Sequence, residues 1–185
     1  MNGPYDVFGD AELVRHVRRG EREAFRVLVY RYQDTLFRYA YNLVGEGDTA
    51  ADMVQASFVS AYSQIAKLDE ASKFGAWVHR ICINRCRDHL KSRRRRDVPL
   101  DDTPQHALTS AERADALVER NELRSALDHA LTRLNDEHRE AFVLKHIEER
   151  SYEEMSELLG ASVAALKMRV HRAREALKSA LEEVL

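Results

Sequence analysis

The sequence predicts an all-α protein of two small helical domains joined by an acidic linker. Apolar residues recur at steps of three and four along most of the 185-residue chain, the period of helices with one buried face. Only three prolines interrupt that period, and two of them, Pro99 and Pro104, fall in "DVPLDDTPQHALTS", a polar acidic stretch without apolar period. Charge divides at the same place. Residues 1–96 hold 17 Lys and Arg against 12 Asp and Glu, residues 97–119 hold 1 against 6, and residues 120–185 hold 11 against 13. The expected organisation is a domain over residues 1–96, a flexible linker over 97–116 and a second domain over 117–185.

Four helices are expected in the first domain. Leu13, Val14 and Val17 in "AELVRHVRRG" give one, and Gly20 suits its C-terminal stop. A second runs from Phe25 through Leu28, Val29, Tyr32, Leu36, Phe37 and Tyr39 to Leu43, ended by Gly45 and Gly47. The third is "DTAADMVQASFVSAYSQIAKL", with Asp48 or Thr49 as N-cap. After the loop "DEASK", no helix breaker appears between Phe74 and Lys91.

In the second domain, "SAERADALVERNELRSALDHALTRL" reads as a long amphipathic helix and "NDEHREAFVLKHIEE" as another. Ser151 with Glu154 three residues on is a capping box, Gly160 stops the short helix it opens, and Ser162 caps the next. A helix, a glycine-containing turn and a second helix make a helix-turn-helix pattern. In its second helix Val163, Leu166, Val170, Ala173 and Leu177 form the buried seam, and Lys167, Arg169, His171, Arg172 and Arg174 project from the other side.

The composition, 44% hydrophobic and 32% charged, is that of a soluble globular protein. The first twenty residues carry Asp6, Asp10 and Glu12 and no apolar block, and no apolar run is long enough to span a membrane, so a cytoplasmic location without membrane insertion is expected. A formal net charge of −2 does not exclude a polyanion, which responds to local patches. No zinc-protease, P-loop or deaminase motif is present. His79, Cys82, Cys86 and His89 resemble zinc ligands in type, but their steps of three, four and three on one helix spread them over about 15 Å, and one zinc reaches at most two neighbours. The same stripe fits a core seam in which free cysteines act as small apolar residues. Neither a metal nor a cofactor is expected.

In this order the segments resemble the extracytoplasmic-function sigma factors of bacteria, the small two-domain group of the sigma-70 superfamily that brings core RNA polymerase to promoters. "TAADMVQASFVSAY" is similar to the family's polymerase-binding segment, with matches at Asp52, Val54, Gln55 and Phe58. "FGAWVHRICINRCRDHLKSRRRR" is similar to its promoter-melting and minus-ten segment, with Trp77, Arg80, Ile81, Asn84, Asp88 and Leu90 at matching positions. "LNDEHREAFVLKHIEERSYEEMSELLG" followed by "HRAR" resembles its minus-thirty-five domain. Ala51 and Ala56 stand where the family often has acids, Asn135 where proline is common, and Met168 where a small hydroxyl residue is common at a base-facing position.

The resemblance implies a protein without covalent chemistry that supplies binding energy. Asp52, Val54, Gln55 and Phe58 would dock on the β′ clamp helices of a polymerase whose β and β′ subunits are the partners. Lys73, Phe74, Trp77, Arg80, Asn84, Arg87, Asp88 and Lys91 would serve the minus-ten region, with a base pocket near residues 67–74 that Phe74 and Trp77 either wall or support from the core. Ser162, Lys167, Met168, Arg169, His171, Arg172 and Arg174 would serve the minus-thirty-five element. Asp97, Asp101 and Asp102 in the linker either mimic nucleic-acid charge or only solubilise. The family also implies an anti-sigma protein that covers the polymerase-binding surface.

Overall fold

The structure, a computed structural model, describes residues 3–95, 126–127 and 129–182. The linker expected over residues 97–116, with Asp97, Asp101 and Asp102, lies outside the described residues, as does most of the long helix expected ahead of Leu134. Every regular element among the described residues is helical.

The first lobe consists of α1 (Asp10–Arg18), α2 (Arg22–Val44), α3 (Gly47–Gln64) and α4 (Phe74–Arg95). Leu13 and Val14 of α1, Leu28 and Leu36 of α2, and Phe74, Val78 and Ile83 of α4 are fully enclosed, each worth about 1.5–3 kcal/mol of burial for the larger side chains. Gly45 ends α2 in the left-handed region at φ 80°, where a side chain would be strained. α3 begins earlier than the sequence suggests. Its cap position is Glu46, whose carboxylate accepts a 2.7 Å hydrogen bond from the Thr49 hydroxyl, so neither Asp48 nor Thr49 caps it. Gly75 lets α4 lie against α2: a Cβ there would stand 2.7 Å from the Tyr32 hydroxyl.

The second lobe contains α5 (Asp136–Phe142), α6 (Tyr152–Leu159) and α7 (Val163–Glu182). Asn135 caps α5 by accepting from the His138 N–H at 2.8 Å, which explains how the helix starts without proline. The segment beyond α5 departs from simple helical expectation, because Val143–Ile147 forms a π-helical turn closed by the Glu148 N–H donating to the Val143 carbonyl at 3.0 Å. The capping box forms: the Glu154 N–H donates to Ser151 Oγ at 3.1 Å and the Ser151 N–H donates to Glu154 Oε2 at 2.8 Å. That backbone N–H holds the Glu154 carboxyl below its ordinary range. Gly160, at φ 67°, ends α6, and Ser162 Oγ caps α7 by accepting from the Ala165 N–H at 3.2 Å.

The lobes share one apolar core. Ala141, Val143, Leu144, Met155, Leu158 and Leu166 join the cluster that contains Leu28, Phe74 and Val78, while Ala130, Leu131 and Leu134 pack separately on Ala173 and Leu177. No helix among the described residues is long and apolar enough to cross a membrane.

Candidate functional site

Three surfaces carry the residues singled out from the sequence. The first lies between α2 and α3, where Phe25, Val29, Phe37, Val59 and Tyr62 line an apolar groove of about 750 Å³. Gln55 lines it too, and Asp52 is exposed on the same helix. Val54 and Phe58 also line it but are buried, so they form its floor. The sequence reading missed its wider apolar walls. Val59 is 64% exposed and Phe37 and Tyr62 are also exposed, an arrangement that costs solvation unless a partner covers it.

The second surface is one side of α4. Arg80, Asn84, Asp88 and Lys91 are exposed, spaced to share a face, and Trp77 is half-buried beside them. Phe74 is wholly enclosed, its ring edge-on to Phe25 at 6.3 Å between centroids, so it supports the core and offers no face to a base. Lys73 is exposed and holds Glu70 at 2.5 Å. The opposite side of α4 carries the histidine and cysteine stripe read from the sequence as a core seam. Cys82 and Cys86 are free, fully buried thiols and His79 is also buried. The hydrogen bond the two thiols share, then burial, push the Cys86 thiol up, and the same bond draws the Cys82 thiol down. Among the described residues no three metal-binding side chains converge.

The third surface is α7. Lys167, Met168, His171, Arg172 and Arg174 are exposed, and Ser162 is exposed at the cap. Two of the cations are drawn to neighbours. The Lys167 ammonium lies 5.6 Å from the centroid of the Tyr152 ring, and Arg169 forms a 2.8 Å ion pair with Glu137.

The contacts between the lobes engage members of the second surface. Arg87 grips the buried Glu140 carboxylate in bidentate fashion, Nε to Oε1 at 2.8 Å and Nη2 to Oε2 at 2.6 Å, and the buried Tyr39 hydroxyl donates to the same carboxylate at 3.2 Å. Arg80 donates to the Glu157 carbonyl. Arg38 pairs at 2.7 Å with Glu148, whose side chain is only 2% exposed. The adjacent Arg139 guanidinium is buried and donates to the carbonyls of Leu131, Thr132 and Leu134 in its own lobe and of Leu43 in the other. None of this network was legible from local sequence.

His79 joins the lobes as well. With its Nδ1–H donating to the Gly75 carbonyl at 2.9 Å, Nε2 is left to accept from Arg150 at 3.5 Å. Burial holds its pKa below the ordinary histidine value, the nearby Arg150 charge acts the same way, and the Gly75 bond and Glu148 oppose them. The unfolded chain therefore takes the proton first, so this part of the stability is full above about pH 6.5 and declines as pH falls toward the folded pKa. We expect the melting temperature to drop between pH 7.5 and 5.5, and His79→Gln to drop less over the same interval. Equal drops in both proteins would assign the titration elsewhere.

Residues 28–96 match the family model for sigma-70 region 2, and residues 124–177 match that for sigma-70 region 4. The RNA polymerase sigma-H factor of Pseudomonas aeruginosa is 32% identical over 95% of this chain and 95% of its own length. The ECF RNA polymerase sigma factor SigW of Bacillus subtilis is 30% identical over 92% of this chain and 96% of its own length. Among solved structures, CnrH in complex with the cytosolic domain of CnrY superposes with a TM-score of 0.68 at 29% identity, covering 94% of this chain and 97% of that one. The sigma factor RpoE in complex with the anti-sigma factor NepR, from Bartonella quintana, has the same fold, with a TM-score of 0.67 at 24% identity over 85% of this chain and 96% of that one.

Proposed function

Because the chain belongs to the extracytoplasmic-function group of sigma-70 family RNA polymerase sigma factors, we propose that it directs core RNA polymerase to promoters with distinct minus-thirty-five and minus-ten elements. The first lobe docks on the β′ clamp helices through the groove between α2 and α3, with Asp52 and Gln55 beside Val54 and Phe58, and β completes the core contact. Trp77, Arg80, Asn84, Arg87, Asp88 and Lys91 on α4, with Lys73 at its approach, hold the minus-ten strand, cations on phosphate and Asn84 on a base or phosphate. α7 enters the major groove of the minus-thirty-five element with Lys167, Met168, His171 and Arg172 toward bases and Ser162, Arg169 and Arg174 toward phosphates. The domain boundaries proposed are 1–96 and 117–185. An anti-sigma protein that covers the apolar groove accounts for how so exposed a surface is kept from other partners.

The carrying observation is the combination in one chain of an open apolar groove with an exposed basic helix-turn-helix face. The lobe contacts place a condition on it. Arg87 commits its Nε and Nη2 edge to Glu140, so gripping a phosphate with that same bidentate edge requires the lobes to part. The test is equilibrium binding of fluorescently labelled protein to core polymerase: saturable binding is expected, and no binding would favour a stand-alone helix-turn-helix regulator.

A further inference from the structure

On α7 the buried seam is Leu166, Val170, Ala173 and Leu177. At about 100° per residue, Met168 lies within roughly 10° of the direction opposite the centre of that seam, so it stands at the outermost line of the helix. Ala164, one turn earlier, is exposed nearly on the same line. His171 and Arg172 follow on either side of Met168 and are exposed. The cations at the flanks are drawn sideways, Lys167 toward Tyr152 and Arg169 into its pair with Glu137. Met168 itself is 51% exposed and packs against neither apolar cluster. The N-terminal part of this outermost line is therefore apolar, bordered by a cation and an imidazole, and the exposed Glu175 follows on the same line two turns later.

A recognition helix places its N-terminal residues against base edges, and the C5-methyl of thymine is the apolar group that the major groove presents. We propose that Met168 is a specificity-determining residue that reads a thymine methyl in the minus-thirty-five element. The small side chain of Ala164 allows the close approach, and His171 and Arg172 hold the flanking polar edges or phosphates. A flexible thioether fits this task, since it adapts to a methyl whose position shifts with local groove shape.

This assignment rests on the sigma-factor reading, and the experiment separates the two. Holoenzyme formed from core polymerase and the full chain is bound to a duplex carrying a promoter located by run-off mapping. Each thymine of the minus-thirty-five element, on both strands, is replaced in turn by deoxyuridine, which removes only the methyl. The expected result is one or two positions where the wild type binds about fourfold more weakly, the factor for losing one buried carbon group, and where Met168→Ala no longer distinguishes thymine from uracil. Met168 is exposed, so the variant should keep the wild-type melting temperature. If no thymine is sensitive, or if Met168→Ala keeps the full sensitivity, the assignment is overturned while promoter-specific initiation still supports the sigma reading. A holoenzyme that starts at no specific site overturns both.

Discussion

Arg139→Ala is expected to lower unfolding stability by at least about 3–5 kcal/mol, a large share of the 5–15 kcal/mol typical of small proteins. The guanidinium donates at 2.7 Å to the Leu131 carbonyl and at 2.7 Å to that of Leu43, at 3.2 Å to that of Leu134, and also to Thr132. Alanine would leave the buried Leu43 and Leu134 carbonyls without that donor, while Leu131 keeps the Leu134 N–H at 3.2 Å and Thr132 is exposed, and each unsatisfied buried acceptor costs on the order of 1–3 kcal/mol where water does not replace the bond. Arg139→Lys keeps the charge but not the planar fork, so it should recover only a fraction. Guanidinium chloride denaturation of the three proteins checks the ordering. A loss below about 1 kcal/mol for alanine would mean that the helical segment ending before α5 and the end of α2 are held by something else.

Val59→Glu is expected to weaken core polymerase binding by at least about tenfold, or 1.4 kcal/mol, while stability changes by about 0.5 kcal/mol or less. Val59 is 64% exposed and lines the groove with Phe25, Phe37 and Tyr62. A carboxylate there loses little packing in the free protein but must be desolvated when an apolar partner seats itself, which is how interface hot spots fail. Binding titrations and thermal melts on the same preparations give the comparison. Unchanged affinity would move the polymerase surface away from this groove.

Local features carried far in this chain. The Ser151 and Glu154 capping box, the Gly160 stop and the Ser162 cap each involve groups within four residues, and all form as their spacing indicates. The two faces of α4 were also legible, because Cys82 and Cys86 share the buried side with Val78 while Arg80, Asn84 and Lys91 share the exposed one. Interactions at long range were not. Glu140 meets Arg87 and Tyr39 across separations of 53 and 101 residues, and a sequence gives no measure of which distant arginine a glutamate will find. The groove was half legible. Apolar periodicity assigns Phe37 to a helix's inward face, yet Phe37 is exposed, and only the surplus of large apolar residues on α2 hinted at a second apolar face. The π-helical turn at Val143–Ile147 had no such hint, and it lies immediately before Glu148, which pairs with Arg38.

Run-off transcription with core RNA polymerase on genomic fragments, with and without this protein, tests the central claim most directly. Transcripts that appear only with the protein are expected, from starts that share sequence elements near minus thirty-five and minus ten. An unchanged transcript pattern, with the protein folded and the polymerase active with another sigma factor, would contradict it.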